Sequence, residues 1–169
     1  GVNTSILEAY DTVNNRIINI HMPWSNNNLY FDAGEGSSYD RIYTGASGSE
    51  IDGTWNHWSF VKKQSTGEMF IYKNGILWLN GTGKDRNVGY IHRFIIGSNK
   101  NLGNNWTGKI DEFRIFNHAL SDTVIQNNYN KKLTQNHPFF NNCMVYYDFD
   151  DTPYAVDQSH NDFKLMPSS

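Results

Sequence analysis

At 169 residues the chain fits one domain that can bury about 70% of its unfolded surface, so it needs no disulfide or metal staple. A formal charge of -3, with no Lys/Arg run longer than Lys62-Lys63 or Lys131-Lys132, excludes the electrostatic footprint of a nucleic-acid binder. No apolar stretch approaches the roughly 18 residues of a membrane span, and the single Cys143 excludes an internal disulfide and a Cys-based zinc cluster.

The first residues lack a basic segment followed by an apolar one, so the chain reads as soluble and as either mature or excised from something longer. Ser5 to Tyr10 predicts a short strand and Asp11 to Asn15 a turn. Arg16 to Met22 alternates as a strand stopped by Pro23, and Leu29 to Ala33 is its hairpin partner across Ser25 to Asn28. A polar connection, Gly34 to Asp40, leads to a strand at Arg41 to Thr44, and Gly45 to Gly53 reads as a Gly/Ser loop. Trp55 to Lys63 predicts a strand with Trp58 and Phe60 on one face and His57, Ser59 and Val61 on the other. Met69 to Lys73, Asn74-Gly75 and Ile76 to Asn80 form the clearest hairpin, because a two-residue type I′ turn needs positive φ at both central positions. Arg93 to Gly97 reads as a short buried strand, and Asn99 to Asn105 as a loop delivering Trp106.

Gly108 to Phe116, with apolar side chains at Ile110, Phe113, Ile115 and Phe116, reads as the strand that organises the rest. Ser121 then caps one short helix near residues 121–130, carried by Val124, Ile125 and Tyr129. Met144 to Phe149 predicts a last strand, and the tail from Asp150 to Ser169 reads as loop. Short strands separated by turn chemistry, with one minor helix, predict an all-β, two-sheet antiparallel jelly-roll sandwich.

The stretch Gly108 to Ser121 resembles the closing signature of LamG-like, concanavalin A-like modules. Gly53 to Phe60, Met69 to Leu77 and Phe94 to Ser98 match the same family in the same order. The resemblance spans roughly residues 53–130. It speaks for the fold more than for activity, which sits in sites grafted on a scaffold. Residues 1–135 are expected to form the sandwich. Residues 136–169 hold a strand and tail that either complete it or begin a second module, since Tyr146 to Asp150 followed by Val156 to Ser159 resembles the family's opening segment. The chain is read as a piece of a larger multidomain protein.

Aromatic residues on loops beside polar groups offer what a sugar ring needs: a flat face for stacking and fixed partners for hydroxyls. Trp24, Tyr39 with Asp40 and Arg41, and Asn104, Asn105 and Trp106 are the candidate ligand-binding residues, although each ring could instead cap the core. The resemblance implies a calcium ion, with Asp11, Asp32, Asp111 and Asp157 as possible donors, but no calcium-loop spacing links them. Asp111 and Glu112, adjacent on a strand, would point to opposite faces and could not share a substrate.

Glu50-Ile51-Asp52 starts the alternating-carboxylate pattern of sugar-cleaving enzymes on this fold, but Thr54 and Trp55 stand where a third acid is required, so no catalytic residue is assigned. The six histidines lack zinc spacing, and Cys143 has no nearby His. Asparagine is about one residue in seven, a composition that suits a β-rich extracellular surface, and Asn3, Asn80 and Asn105 open acceptor triplets for N-glycosylation. The leading expectation is a non-catalytic carbohydrate-binding or adhesion module of a secreted or cell-surface protein, its partner a glycan or a surface protein. An accessory or catalytic domain of a secreted glycan-processing enzyme and a structural spacer without ligand are the alternatives.

Overall fold

The computed structural model describes residues 2–36, 38–150 and 155–164, arranged as two compact units, Gly1–Thr107 and Gly108–Ser169. In the first unit, β1 (Ser5–Tyr10), β2 (Arg16–His21), β3 (Asn28–Ala33), β4 (Asp40–Gly45) and β8 (Arg93–Ile96) form an antiparallel sheet in the order β4-β3-β2-β1-β8. A second sheet joins β5 (Trp58–Lys63), β6 (Glu68–Lys73) and β7 (Ile76–Gly81) in sequence order, and a one-turn helix α1 (Gly48–Ile51) precedes it.

Strand alternation decides which residues meet between the sheets. The cross-strand row Ile96, Leu7, Ile20, Phe31 and Ile42 faces inward, where Phe31 meets Phe60 of β5 edge-on at 5.4 Å. Met69 and Ile71 of β6 are fully buried, as are Ala9 and Leu29. Each large side chain removed from water here contributes about 1.5–3 kcal/mol. At the rim of this interior Lys62 of β5 donates to Asp40 of β4 at 2.6 Å and to the Lys84 carbonyl, while Arg86 N–H donates to the same carboxylate at 2.9 Å. Burial opposes ionisation of Asp40, but the Lys62 and Arg86 hydrogen bonds and the charges of Lys62 and Lys84 outweigh it and lower the pKa. The Asn74-Gly75 hairpin has φ of 52° and 77°, the left-handed pair its turn requires, and Asn74 Oδ1 also accepts His57 N–H at 2.8 Å. The first unit is an antiparallel two-sheet sandwich of the expected jelly-roll class.

The second unit pairs β9 (Phe113–Phe116) antiparallel with β10 (Cys143–Tyr147), with α2 (Asp122–Asn128) between them. Leu133, Phe140, Cys143 and Tyr146 form its core, with Phe116 packed against them. Burial pushes the Cys143 thiol up to about 11, so it stays protonated at neutral pH.

Several expectations are corrected. The organising strand is four residues long, not nine: Glu112 has φ 52°, which breaks the extended run, so the opposite-face argument for Asp111 and Glu112 does not apply. Instead Asp111 Oδ1 accepts Glu112 N–H at 2.9 Å, and the Glu112 carboxylate holds Arg114 and accepts the Tyr146 hydroxyl at 2.9 Å. The helix after Ser121 is not alone, because α1 sits where a loop was expected. Its N-terminus is held by Glu50, whose Oε2 accepts Ser47 N–H at 2.6 Å, a local capping interaction. Ser121 occupies the N-cap position of α2 without a capping side-chain hydrogen bond. β5 starts at Trp58, and Trp55 is exposed. β8 lies at the edge of its sheet and is half-buried rather than buried. The last strand ends at Tyr147, with Phe149 at φ 53°. Part of the expected tail loop, residues 151–154 and 165–169, lies outside the described residues.

Candidate functional site

One residue along from the inward row, the side chains point the other way and are polar. Glu8, Asn19, Asp32 and Arg41 are neighbours across β1, β2, β3 and β4 on the outer face of the five-stranded sheet. Asn19 and Asp32 are 0% and 1% exposed despite lying on that face, so each needs internal partners. They have them. Arg41 grips Asp32 side-on, Nε to Oδ1 at 2.6 Å and Nη2 to Oδ2 at 2.8 Å, and Asn19 Nδ2 donates to Oδ2 at 3.2 Å. Arg16 reaches Asp32 at 3.4 Å and approaches Glu8 at 3.8 Å. The hydrogen bond to Asp32 raises the Arg41 pKa further, and burial raises that of Glu8, which also accepts Lys100 N–H at 3.2 Å.

Rings cover this polar layer. Arg41 lies 4.6 Å from the Tyr30 ring centre and 4.9 Å from that of Tyr39, and Arg16 lies 5.2 Å from Tyr39. The next cross-strand row is His21, Tyr30 and Tyr43, with Tyr30 and Tyr43 stacked at 5.3 Å. His21 is buried, with Nδ1 3.0 Å from the Thr4 carbonyl and its ring 4.1 Å from Trp24. Burial is the main cause that lowers the His21 pKa, partly offset by the Thr4 carbonyl.

The loop that carries Trp24 folds back on itself. Trp24 N–H donates to the Asn28 carbonyl and Asn27 N–H to that of Trp24, both at 2.8 Å, with Asn27 at φ 60°. That turn brings Asn26 and Asn28 onto the Tyr30 hydroxyl at 2.7 and 3.2 Å, lowering its pKa through these two side-chain hydrogen bonds. Arg16, His21, Trp24, Asn26, Tyr30 and Arg41 together line an open hollow of about 280 Å³.

Of the residues anticipated as ligand-binding, Trp24, Tyr39 and Arg41 gather here. Asp40 faces the interior, clasped by Lys62. Asn104 lies on another loop with φ 53°, its carbonyl accepting Ser5 N–H at 2.8 Å. Asn105 is exposed, and Trp106 is anchored by its N–H to the Gly97 carbonyl at 2.8 Å, its indole nitrogen buried. Arg16, His21, Asn26, Tyr30 and Tyr43 were not anticipated. The usable signal was the predicted hairpin: once strands 16–22 and 29–33 are paired, alternation puts His21 and Tyr30 on one face.

The four aspartates named for calcium are each engaged locally. Asp11 Oδ1 accepts Val13 and Asn15 N–H at 2.9 and 2.8 Å, capping its own turn. Asp32 holds the two arginines. Asp111 accepts Glu112 N–H, and Asp157 accepts the N–H groups of Tyr146, Ser159 and Phe163, each at 2.9 Å, tying residues 157–163 to β10. Among the described residues no group of three or more His, Cys, Asp or Glu side chains is placed to hold a metal ion.

An antiparallel two-sheet sandwich with an aromatic and guanidinium-lined sheet face is thus the class these features define. The chain belongs to the concanavalin A-like lectin/glucanase superfamily, its Laminin_G_3 family model matching residues 3–126. Among solved structures it is similar to a Bacteroides ovatus protein provisionally described as carbohydrate-binding, with a TM-score of 0.65 and 18% identity, over 94% of this chain and 45% of that one. The chain therefore spans less than half the length of that protein, and at this identity the likeness establishes the fold alone. An S-layer domain-containing protein from Clostridium thermocellum aligns over 75% of this chain and 62% of its own at 21% identity, but its TM-score of 0.33 is too low to support a structural argument. No curated protein matches the chain. No helix among the described residues is long and apolar enough to cross a membrane.

Proposed function

We propose that the chain is a non-catalytic carbohydrate-binding module that engages glycans on the outer face of its five-stranded sheet. The observation that carries this reading is the convergence of Trp24, Tyr30, Tyr39 and Tyr43 with the amides of Asn26 and Asn28 and two arginines held in place by Asp32. Flat rings stack on the apolar face of a sugar while pre-positioned donors meet its hydroxyls, so little ordering cost remains at binding. The fold shared with the Bacteroides ovatus protein, and the description of that protein as carbohydrate-binding, support the same reading.

Binding is favoured over cleavage because the two carboxylates on this face are spent. Asp32 is covered by its arginines, and Glu8 lies beneath Arg16, the Tyr10 hydroxyl and Lys100 N–H. Glu50, the acid most suggestive of catalysis in sequence, caps α1, and its pKa is lowered first by the Ser47 N–H, the wrong direction for a general acid at neutral pH. We place the module in a secreted or cell-surface protein, where such ligands are met. Adhesion is one use of it.

A glycan array read with and without calcium tests the proposal. Signal is expected that persists in EDTA, falls on Tyr43→Ala and Trp24→Ala, and is unchanged by Glu50→Gln. A blank array, or binding indifferent to both ring substitutions, would remove the reading. Glycan hydrolysis lost on Glu8→Gln would turn the module into an enzyme.

A further inference from the structure

Charge is layered on the outer face of the five-stranded sheet. Glu8 and Asp32 lie beneath, 4% and 1% exposed, while four cations lie around and above them. Arg16 and Arg41 flank the Tyr39 ring, and Arg93 and Lys100 stand 5.5 and 5.7 Å from the Tyr10 ring, whose hydroxyl bonds Glu8. Four cations over two carboxylates leave an excess of two positive charges on a chain whose formal charge is -3.

Asp11 and Glu35 line a separate hollow with Ile17 and Tyr90, where the charged Asp11 carboxylate accepts N–H groups of its own turn. Depth matters as much as count, because an approaching ligand meets guanidinium before carboxylate. Arg41 spends Nε and Nη2 on Asp32, which leaves the Nη1 end for a ligand and fixes the side chain in advance.

We propose that this face selects glycans carrying an anionic group, a uronate carboxylate or a sulfate ester, with Arg16 and Arg41 reading the anion beside the Tyr39 ring. The proposal rests on the glycan-binding reading above. Arg93 and Lys100 extend the field along the sheet and favour a chain of acidic sugars over a single one.

Calorimetric titration of the intact chain with an oligogalacturonide, its fully methyl-esterified form and a carrageenan oligosaccharide of similar length, which carries sulfate esters and no carboxylate, tests this. The acid form should bind at least about tenfold more tightly than the ester, because hydrogen bonds to a charged acceptor are roughly twice as strong as neutral ones, and added salt should narrow the gap. The carboxylate and sulfate arms tell which anion is read; either one exceeding the ester supports the proposal. Arg16→Gln and Arg41→Lys should each shrink the ratio of acid to ester affinity to less than about threefold. The comparison of acid with ester on the unaltered chain needs no variant to fold. Equal affinity for all three ligands, or binding of neutral array glycans only, would overturn anion selection and leave the glycan reading standing. No binding to these ligands or to any array glycan would overturn both.

Discussion

The inner and outer faces of the five-stranded sheet are built from adjacent positions of the same strands, yet they are held together by different physics. The inner row from Ile96 to Ile42 is apolar and gains stability by leaving water, an effect without direction that tolerates any well-shaped neighbour. The row one residue over, Glu8 to Arg41, is also largely buried, but each of its groups must find a stated partner at a stated angle. The first kind of face makes a stable sandwich. The second makes a surface whose donors and rings are fixed in advance, which is what recognition needs.

Substitutions can separate the two. Phe31→Ala should cost most, about 3–5 kcal/mol, since it deletes a ring 3% exposed from between the sheets, as chemical denaturation would measure. Asp32→Asn should cost less, about 2 kcal/mol, because it leaves Arg41 without its counter-charge and Arg16 with Glu8 alone at 3.8 Å, at a site where solvent reaches both arginines. A loss on Asp32→Asn larger than on Phe31→Ala would reverse the ranking of the faces.

Acid should act on the outer face through His21. Its folded pKa lies below the ordinary value, so the unfolded chain binds the proton more readily, and stability falls as pH drops below about 6.5 towards the folded value. The denaturation midpoint should therefore fall over that window, and His21→Gln should flatten this part of the profile. Asp40 on the inner rim loses its stabilising charge only further down, as pH falls below about 4. The smallest effect on stability belongs to Tyr43→Ala: with its ring 57% exposed, the melting curve should shift by no more than about 0.5 kcal/mol, while glycan binding drops.

How much of this was legible in the chain differs by element. Asn74-Gly75 was readable because the turn type depends on two residues and their φ angles alone. The 16–22 and 29–33 hairpin was readable for a similar reason, its alternation and turn being local. The strand expected over Gly108 to Phe116 was overextended, because apolar Ile110 hid the positive φ of Glu112, and no propensity reports a single strained residue. Glu50 drew attention as an acid, yet the one-turn helix it caps depends on Ser47 three residues earlier.

The sandwich class, its turns and the presence of loop aromatics followed from the order of residues, since alternation and turn chemistry act over a few neighbours. Which aromatics work together did not. Trp24, Tyr39 and Arg41 join Tyr30, Tyr43 and Arg16, while Asp40 turns away from Arg41 although the two are adjacent in the chain. Only the register between strands decides that, because it is pairing across the sheet that sets which side chains share a face and whether a buried carboxylate meets a guanidinium there.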